Sequence, residues 1–211
     1  MTDQIEQGTP EWFQQRLGKV TASKLSDVMS KGRGSAPSAT RATYMAQLVA
    51  ERLSGKPTDS FTNAAMDWGT ETEPQARAAY TMYTGNMVDQ VGFVEHPLIE
   101  DSGASPDGEV GSDGLVEIKC PLTKTHIASL KSRTAPAAYM KQIQWQLACT
   151  GRAWCDFVSF DPRMPPGMQI MVDRIYRDDA AIREMESAVT IFLSEVQAEC
   201  THLEQIYGGA K

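Results

Sequence analysis

"GASPDGEVGSDGLVEIKCP", Gly103 to Pro121, is the stretch on which the fold turns. Its second half, "LVEIKC", is a short apolar-rich run bounded by Gly114 and Pro121, the pattern of a strand. Strand side chains alternate, so Glu117 and Lys119 share one face while Val116, Ile118 and Cys120 take the other. The segment "GEVGSDG" between Asp107 and the strand is rich in turn residues, and a hairpin there brings Asp107 back beside Glu117. Seven acids lie between Asp89 and Asp113 with no Lys or Arg among them. Such a stretch is either a solvated turn leading into a strand with an edge lysine, or a cation site.

Working outward, "GTPEWFQQRLG" reads as a short helix with Thr9 as N-cap and Pro10 at its first position. "VTASKLSDVMSKG" reads as a second helix capped by Thr21 or Ser23, and Gly32 to Ser38 as a loop. "ATRATYMAQLVAERLSG" has apolar residues at helical spacing before Gly55. Residues 64–85 are again helical in pattern, with Gly69 and Pro74 expected to start, kink or divide the helix. A loose alternation in "NMVDQVGFVEH" opens the strand region. Helices are then expected at "KTHIASLKS" and "PAAYMKQIQWQLACTG", strands at "AWCDFVSF" and "MQIMVDRIY", and a long helix from Asp178 to about Tyr207. That order predicts an α/β fold with a mixed central β-sheet flanked by helices. Length and composition fit one domain over residues 1–211: a helical part to about 85, a sheet core over about 86–177 and a terminal helix over about 178–207.

Four cysteines form no CxxC pair and three histidines no HxxxH, which argues against a zinc site. No apolar run approaches the ~18 residues of a membrane span. The N-terminus "MTDQIEQGTPEW" lacks the marks of a targeting peptide, so a cytoplasmic protein without a membrane role is expected. The net charge of -7 hides an asymmetry, since six cations from Arg16 to Arg41 face Asp27 alone. A basic segment beside an acidic centre suits a polyanion held against a cation site.

Two carboxylates offering oxygen alone suit a hard cation such as Mg²⁺. The carbonyl of Ile118 is a further candidate ligand. Lys119 near such a cation orients or deprotonates a water, or neutralises charge at a phosphorus centre. Arg16 with Thr21 and Ser23 at a helix N-terminus makes an anion pocket suited to a terminal phosphate.

The pattern Pro106-Asp107 followed by Glu117-Ile118-Lys119 resembles the PD-(D/E)xK nucleases, with their restriction-endonuclease-like fold. The wider set looks closer still: "RLGKVTAS", "WGTETEPQAR", "SPDG…DGLVEIKCP", "AYMKQIQWQL" and "FDPRM" occur in the order found in bacteriophage lambda exonuclease and its YqaJ-type viral recombinase relatives. The resemblance implies a Mg²⁺-dependent 5′→3′ exonuclease on double-stranded DNA. It would release mononucleotides and leave 3′ overhangs for phage single-strand annealing recombination. It implies Asp107, Glu117, the Ile118 carbonyl and Glu73 as metal contacts for two Mg²⁺ ions, with Mn²⁺ able to substitute, and Lys119 as catalytic lysine. Gln142 and Gln144 fall in the family's glutamine helix, with Gln144 the expected catalytic contact. The resemblance assigns the 5′-phosphate to the pocket of Arg16, Thr21 and Ser23, and it implies a homotrimeric ring, double-stranded DNA ends as substrate and a phage single-strand annealing protein as partner.

Two rivals stand beside this reading: an endonuclease of the same fold, and a noncatalytic module that binds DNA or a partner. For Glu73 the alternative is a capping box with Thr70. Trp12, Trp68, Trp145 and Trp154 are expected in the core, and Glu109 and Asp113 in the turn.

Overall fold

The structure, a computed structural model, describes residues 5–32, 38–58 and 64–208. It begins with α1 (Pro10–Arg16), where Thr9 Oγ1 accepts from the Trp12 N–H and Pro10 occupies the first turn. Next come β1 (Val20–Thr21), a 3₁₀ turn over Ala22–Lys24, and α2 (Leu25–Val28). The helix expected over this stretch is therefore a two-residue strand and two short turns; neither Thr21 nor Ser23 caps them with its side chain. Most of the loop expected over 32–38 lies outside the described residues.

α3 (Ala39–Ser54) ends on Gly55, whose φ of 65° is the left-handed conformation that closes a helix. α4 (Ala64–Thr84) runs unbroken through Pro74. Pro74 has no N–H for the carbonyl four residues back, a loss of about 3 kcal/mol in an isolated helix, yet tertiary packing keeps the segment helical. Ala76 and Tyr80, both fully buried, are the residues that hold it down.

Among the described residues, seven strands divide between two mixed sheets rather than entering one. β3 (Ser102–Ala104) pairs parallel with β1 and antiparallel with β2 (Val94–Glu95). The larger sheet has the order β4-β5-β6-β7, from β4 (Gly108–Val110), β5 (Gly114–Lys119), β6 (Trp154–Phe160) and β7 (Ile170–Tyr176). β4 and β5 form the expected hairpin with Gly108 opposite Val116, while β5 and β6 run parallel. A parallel pair needs a crossover, supplied by α5 (Thr123–Ser132) and α6 (Met140–Thr150). Residues near Asp89 add only a single bridge to Glu109 on the outer edge of β4. Glu109 itself lies in β4 and pairs with Arg152, so it is not a turn residue.

Both faces of this sheet are covered. Leu115, Cys155 and Phe157 pack under Ile143 and Leu147 of α6, while Val116, Ile118, Val158 and Phe160 pack under Ala76 and Tyr80 of α4. Each fully buried Leu, Ile or Phe here contributes roughly 1.5–3 kcal/mol. Gly114 opens β5 beneath the Trp154 ring, where a Cβ would lie 2.1 Å from a ring carbon, so only glycine fits. A third cluster joins α2, α3, α6 and α7 (Asp179–Tyr207) around Leu25, Leu48, Trp145 and Phe192. Among the described residues no helix is long and apolar enough to cross a membrane.

Candidate active site

The site lies where β5 outruns its partner. β4 begins at Gly108 opposite Val116, so beyond that pair the β5 edge has no strand beside it. Asp107 fills the gap with its side chain: the Ile118 N–H donates to Asp107 Oδ2 at 2.6 Å. N–H and C=O of one strand residue point to the same edge, so the Ile118 carbonyl faces this gap as well.

Glu117 is fully buried and carries three donors. Gln142 Nε2 donates to its Oε1 at 2.6 Å, Gln146 Nε2 donates to its Oε2 at 2.6 Å, and Lys119 forms an ion pair with Oε1. These donors replace the water the carboxylate has lost. Burial alone would depress the Lys119 ammonium, but the charges of Glu117 and Asp107 outweigh it and hold its pKa above the ordinary lysine value. Lys119 also lies under the Tyr139 ring at 5.4 Å.

Asp107 is raised well above the ordinary aspartate value, by burial first and then by the charge of Glu117. Glu73 is raised too, by burial first; Arg77 opposes the shift and Glu117 adds to it. Three carboxylates thus feel one another through a poorly solvated space. Glu73 lies well inside α4, not in a first turn, and pairs with Arg77 one turn on.

Gln144 requires correction as a site residue. Its Nε2 donates to the Tyr176 carbonyl and its Oε1 accepts from the Asp178 N–H, both at 2.8 Å, on the far side of α6. Helical spacing explains this, because residues 142 and 146 share a face and 144 falls across from it. Gln146 was absent from the sequence reading, although the i, i+4 relation to Gln142 was its signal.

The second part of the site is built by α1. Arg16 lies over the Trp12 ring at 4.0 Å, and both Arg16 Nη1 and Trp12 Nε1 donate to Ser105 Oγ at 3.0 Å. Trp12 is therefore a half-buried wall of this pocket and not a core residue. Burial lowers the Arg16 pKa to about 10, which leaves it charged near neutral pH. Among the described residues Arg16 has no ion pair. Thr21 Oγ1 and Ser23 Oγ lie 3.4 Å apart beside it. Gln7 fastens the segment before α1 to the centre by donating to the Pro106 carbonyl at 2.8 Å.

One cleft of about 710 Å³ joins the two parts and is lined by Arg16, Thr21 and Ser23 together with Glu73, Arg77 and Asp107. Among the described residues no three His, Cys, Asp or Glu side chains already stand as a ready metal group. Each carboxylate is engaged by a donor of this chain instead. The donor set still fits a hard divalent cation: it offers oxygen atoms only, and repulsion among the acids is what such a cation relieves.

A mixed sheet whose central strand ends in Glu117-x-Lys119, with Asp107 folded back onto it, is the core of the PD-(D/E)xK nuclease fold. Comparison with known proteins narrows the class: residues 11–153 match the YqaJ-like viral recombinase domain, and the chain belongs to that family. It is similar to the alkaline exonuclease LHK-Exo of Laribacter hongkongensis, at 51% identity over 96% of this chain and 100% of that one, with a TM-score of 0.89. A structure of LHK-Exo in complex with dAMP matches equally well, with the same identity, coverage and TM-score. A phage-related exonuclease from Haemophilus somnus 129PT shares the fold at 18% identity, covering 86% of this chain and 96% of that one, with a TM-score of 0.65. No curated protein matches the chain.

Proposed function

We propose that this protein is a Mg²⁺-dependent 5′→3′ exonuclease that consumes one strand of duplex DNA from its end. It releases mononucleotides and leaves a 3′ single strand for an annealing protein to take up. The observation that carries this reading is the shared cleft, lined by both the Asp107 acids and a half-buried Arg16 that has no ion pair among the described residues. A buried cation without a counter-ion is costly unless an anion completes it. Only a chain end offers a dianionic phosphate, so the pocket favours end-dependent cutting over internal cutting. The family and LHK-Exo support exonuclease action, a homotrimeric ring around duplex DNA and a bacterial cytosolic setting are part of the same proposal, and Mn²⁺ is expected to replace Mg²⁺.

Asp107, Glu117, the Ile118 carbonyl and Glu73 would hold the cation or a pair of them, which when bound supplies a Lewis acid and a water of lowered pKa. Lys119, a charged ammonium in the present arrangement, offsets negative charge gathering on the phosphoryl oxygens. Gln142 and Gln146 fix Glu117 in one orientation. Arg16, with Ser105, Thr21 and Ser23, seats the terminal phosphate so that the next phosphodiester reaches Asp107.

Linear duplex DNA with a 5′-phosphate, or with a 5′-hydroxyl, tests the reading. The hydroxyl end should be degraded about 10-fold or more slowly by wild type, in keeping with the loss of a charge-assisted contact. Arg16→Gln should erase the difference between the two ends. Equal rates on both ends by wild type, or internal cuts, would instead support an endonuclease.

A second test separates the glutamines. Gln142→Ala should lower kcat by roughly 10-fold or more by freeing Glu117, as losses of residues that orient a metal ligand do. Gln144→Ala should leave kcat within about 2-fold and act on stability through Tyr176 and Asp178, by around 1 kcal/mol.

A further inference from the structure

The cleft beside the acids is lined by one more cation, Arg77, the last residue of the "WGTETEPQAR" block, to which neither the sequence reading nor the mechanism above gives a role. Its side chain is only 18% exposed, and it lines the cleft together with Glu73, Gln90 and Asp107. Nη2 pairs with Glu73. Gln90, turned with its amide oxygen toward the guanidinium, accepts from Nη1 at 3.2 Å and Nη2 at 3.3 Å. Nε is buried and has no hydrogen-bond partner among the described residues. An i, i+4 Glu–Arg pair on a helix surface is worth only a few tenths of a kcal/mol. This pair differs, because it is mostly out of water, faces a cleft and leaves one donor unsatisfied.

We propose that Arg77 is a binding residue for a backbone phosphate of the DNA, held by Glu73 until a divalent cation takes that carboxylate. The proposal rests on the nuclease reading of the cleft. Glu73 cannot fully serve a cation and a guanidinium together, so cation binding weakens the pair and leaves Arg77 with an uncompensated charge. Gln90 is neutral and remains, which keeps the planar fork pointed into the cleft. A phosphodiester oxygen pair matches that fork, as it would not match an ammonium. Cation and DNA then bind cooperatively, since each removes a cost the other would meet.

The test uses full-length protein and a 5′-phosphorylated duplex with phosphorothioate linkages, so that binding is read without cutting. Mg²⁺ affinity is measured by titration calorimetry without DNA, and DNA affinity by fluorescence anisotropy with Mg²⁺ or with EDTA. Arg77→Gln should tighten Mg²⁺ binding, because the competitor for Glu73 is gone, and weaken DNA binding in Mg²⁺ by roughly 10-fold. Arg77→Lys should recover part of the DNA affinity. Glu73→Gln, which frees Arg77 without metal, should strengthen DNA binding in EDTA, a gain that a damaged fold cannot produce. Unchanged DNA affinity in Arg77→Gln, or no gain in Glu73→Gln, overturns the assignment. Wild type that follows the binding pattern but releases no nucleotide from an unmodified 5′ end would sink the exonuclease reading and leave Arg77 as a phosphate ligand.

Discussion

Lys119→Ala loses hydrolysis of linear duplex DNA, with kcat lower by about 10²–10³-fold, while the protein stays folded and binds DNA nearly as wild type does. The size follows from removing one fixed charge aimed at a transition state. The sparing of the fold follows from the two glutamines: without Lys119, Glu117 still accepts from Gln142 and Gln146, so the buried carboxylate keeps a donor on each oxygen. The environment also separates two roles for the lysine. The charges of Glu117 and Asp107 outweigh burial and keep the ammonium protonated, which favours charge neutralisation over proton abstraction. Lys119→Arg, which keeps the charge and cannot act as a base, should therefore retain more activity than Lys119→Ala. Single-turnover rates and anisotropy on the same duplex decide the matter. An alanine variant that cuts within 3-fold of wild type would remove Lys119 from the mechanism.

How much of this was legible beforehand depends on the range of the interaction involved. Strand alternation is local, so the shared face of Glu117 and Lys119 followed from β5 alone, and the ion pair between them is present. The hairpin that returns Asp107 was equally local, written in the turn residues Gly111, Ser112 and Asp113 between β4 and β5. Division of the strands between two sheets was not legible, because β1 joins β3 across about eighty residues and two residues of strand carry no pattern. The same distance hid Ser105 as the partner of Arg16, although it stands two places before Asp107. Gln144 was misread for a different reason. A motif names a helix but not the face it buries, and only the 3.6-residue period distinguishes 142 and 146 from 144. For Pro74, propensity argued for a helix start or break, while burial of Ala76 and Tyr80 against β5 and β6 carried the helix through.

Asp107→Asn should abolish cutting and, in the absence of divalent cations, make the protein more stable at neutral pH. Asp107 has a folded pKa raised by burial and then by Glu117, above the 3.8 of a free aspartate. Where pH lies between those two values the folded chain holds a proton that the unfolded chain has released. Stability therefore falls as pH climbs from about 3.8 through the folded pKa, and above it the cost is constant. The isosteric amide carries no such charge, so its advantage over wild type grows across that window and levels off above it. Asparagine also still offers an oxygen to the Ile118 N–H, which keeps the β5 edge satisfied. Divalent cation should reverse the order. A cation that binds only the folded protein raises its stability by mass action, about 2.7 kcal/mol at a hundred times Kd. Wild type, with Asp107 and Glu117 both available, should gain most of that, and Asp107→Asn little. Thermal unfolding in EDTA and in Mg²⁺ from pH 4 to 8 reads both effects, and a variant less stable than wild type in EDTA at pH 7 would mean that Asp107 is held as a structural hydrogen-bond acceptor and not as a strained member of a cation site.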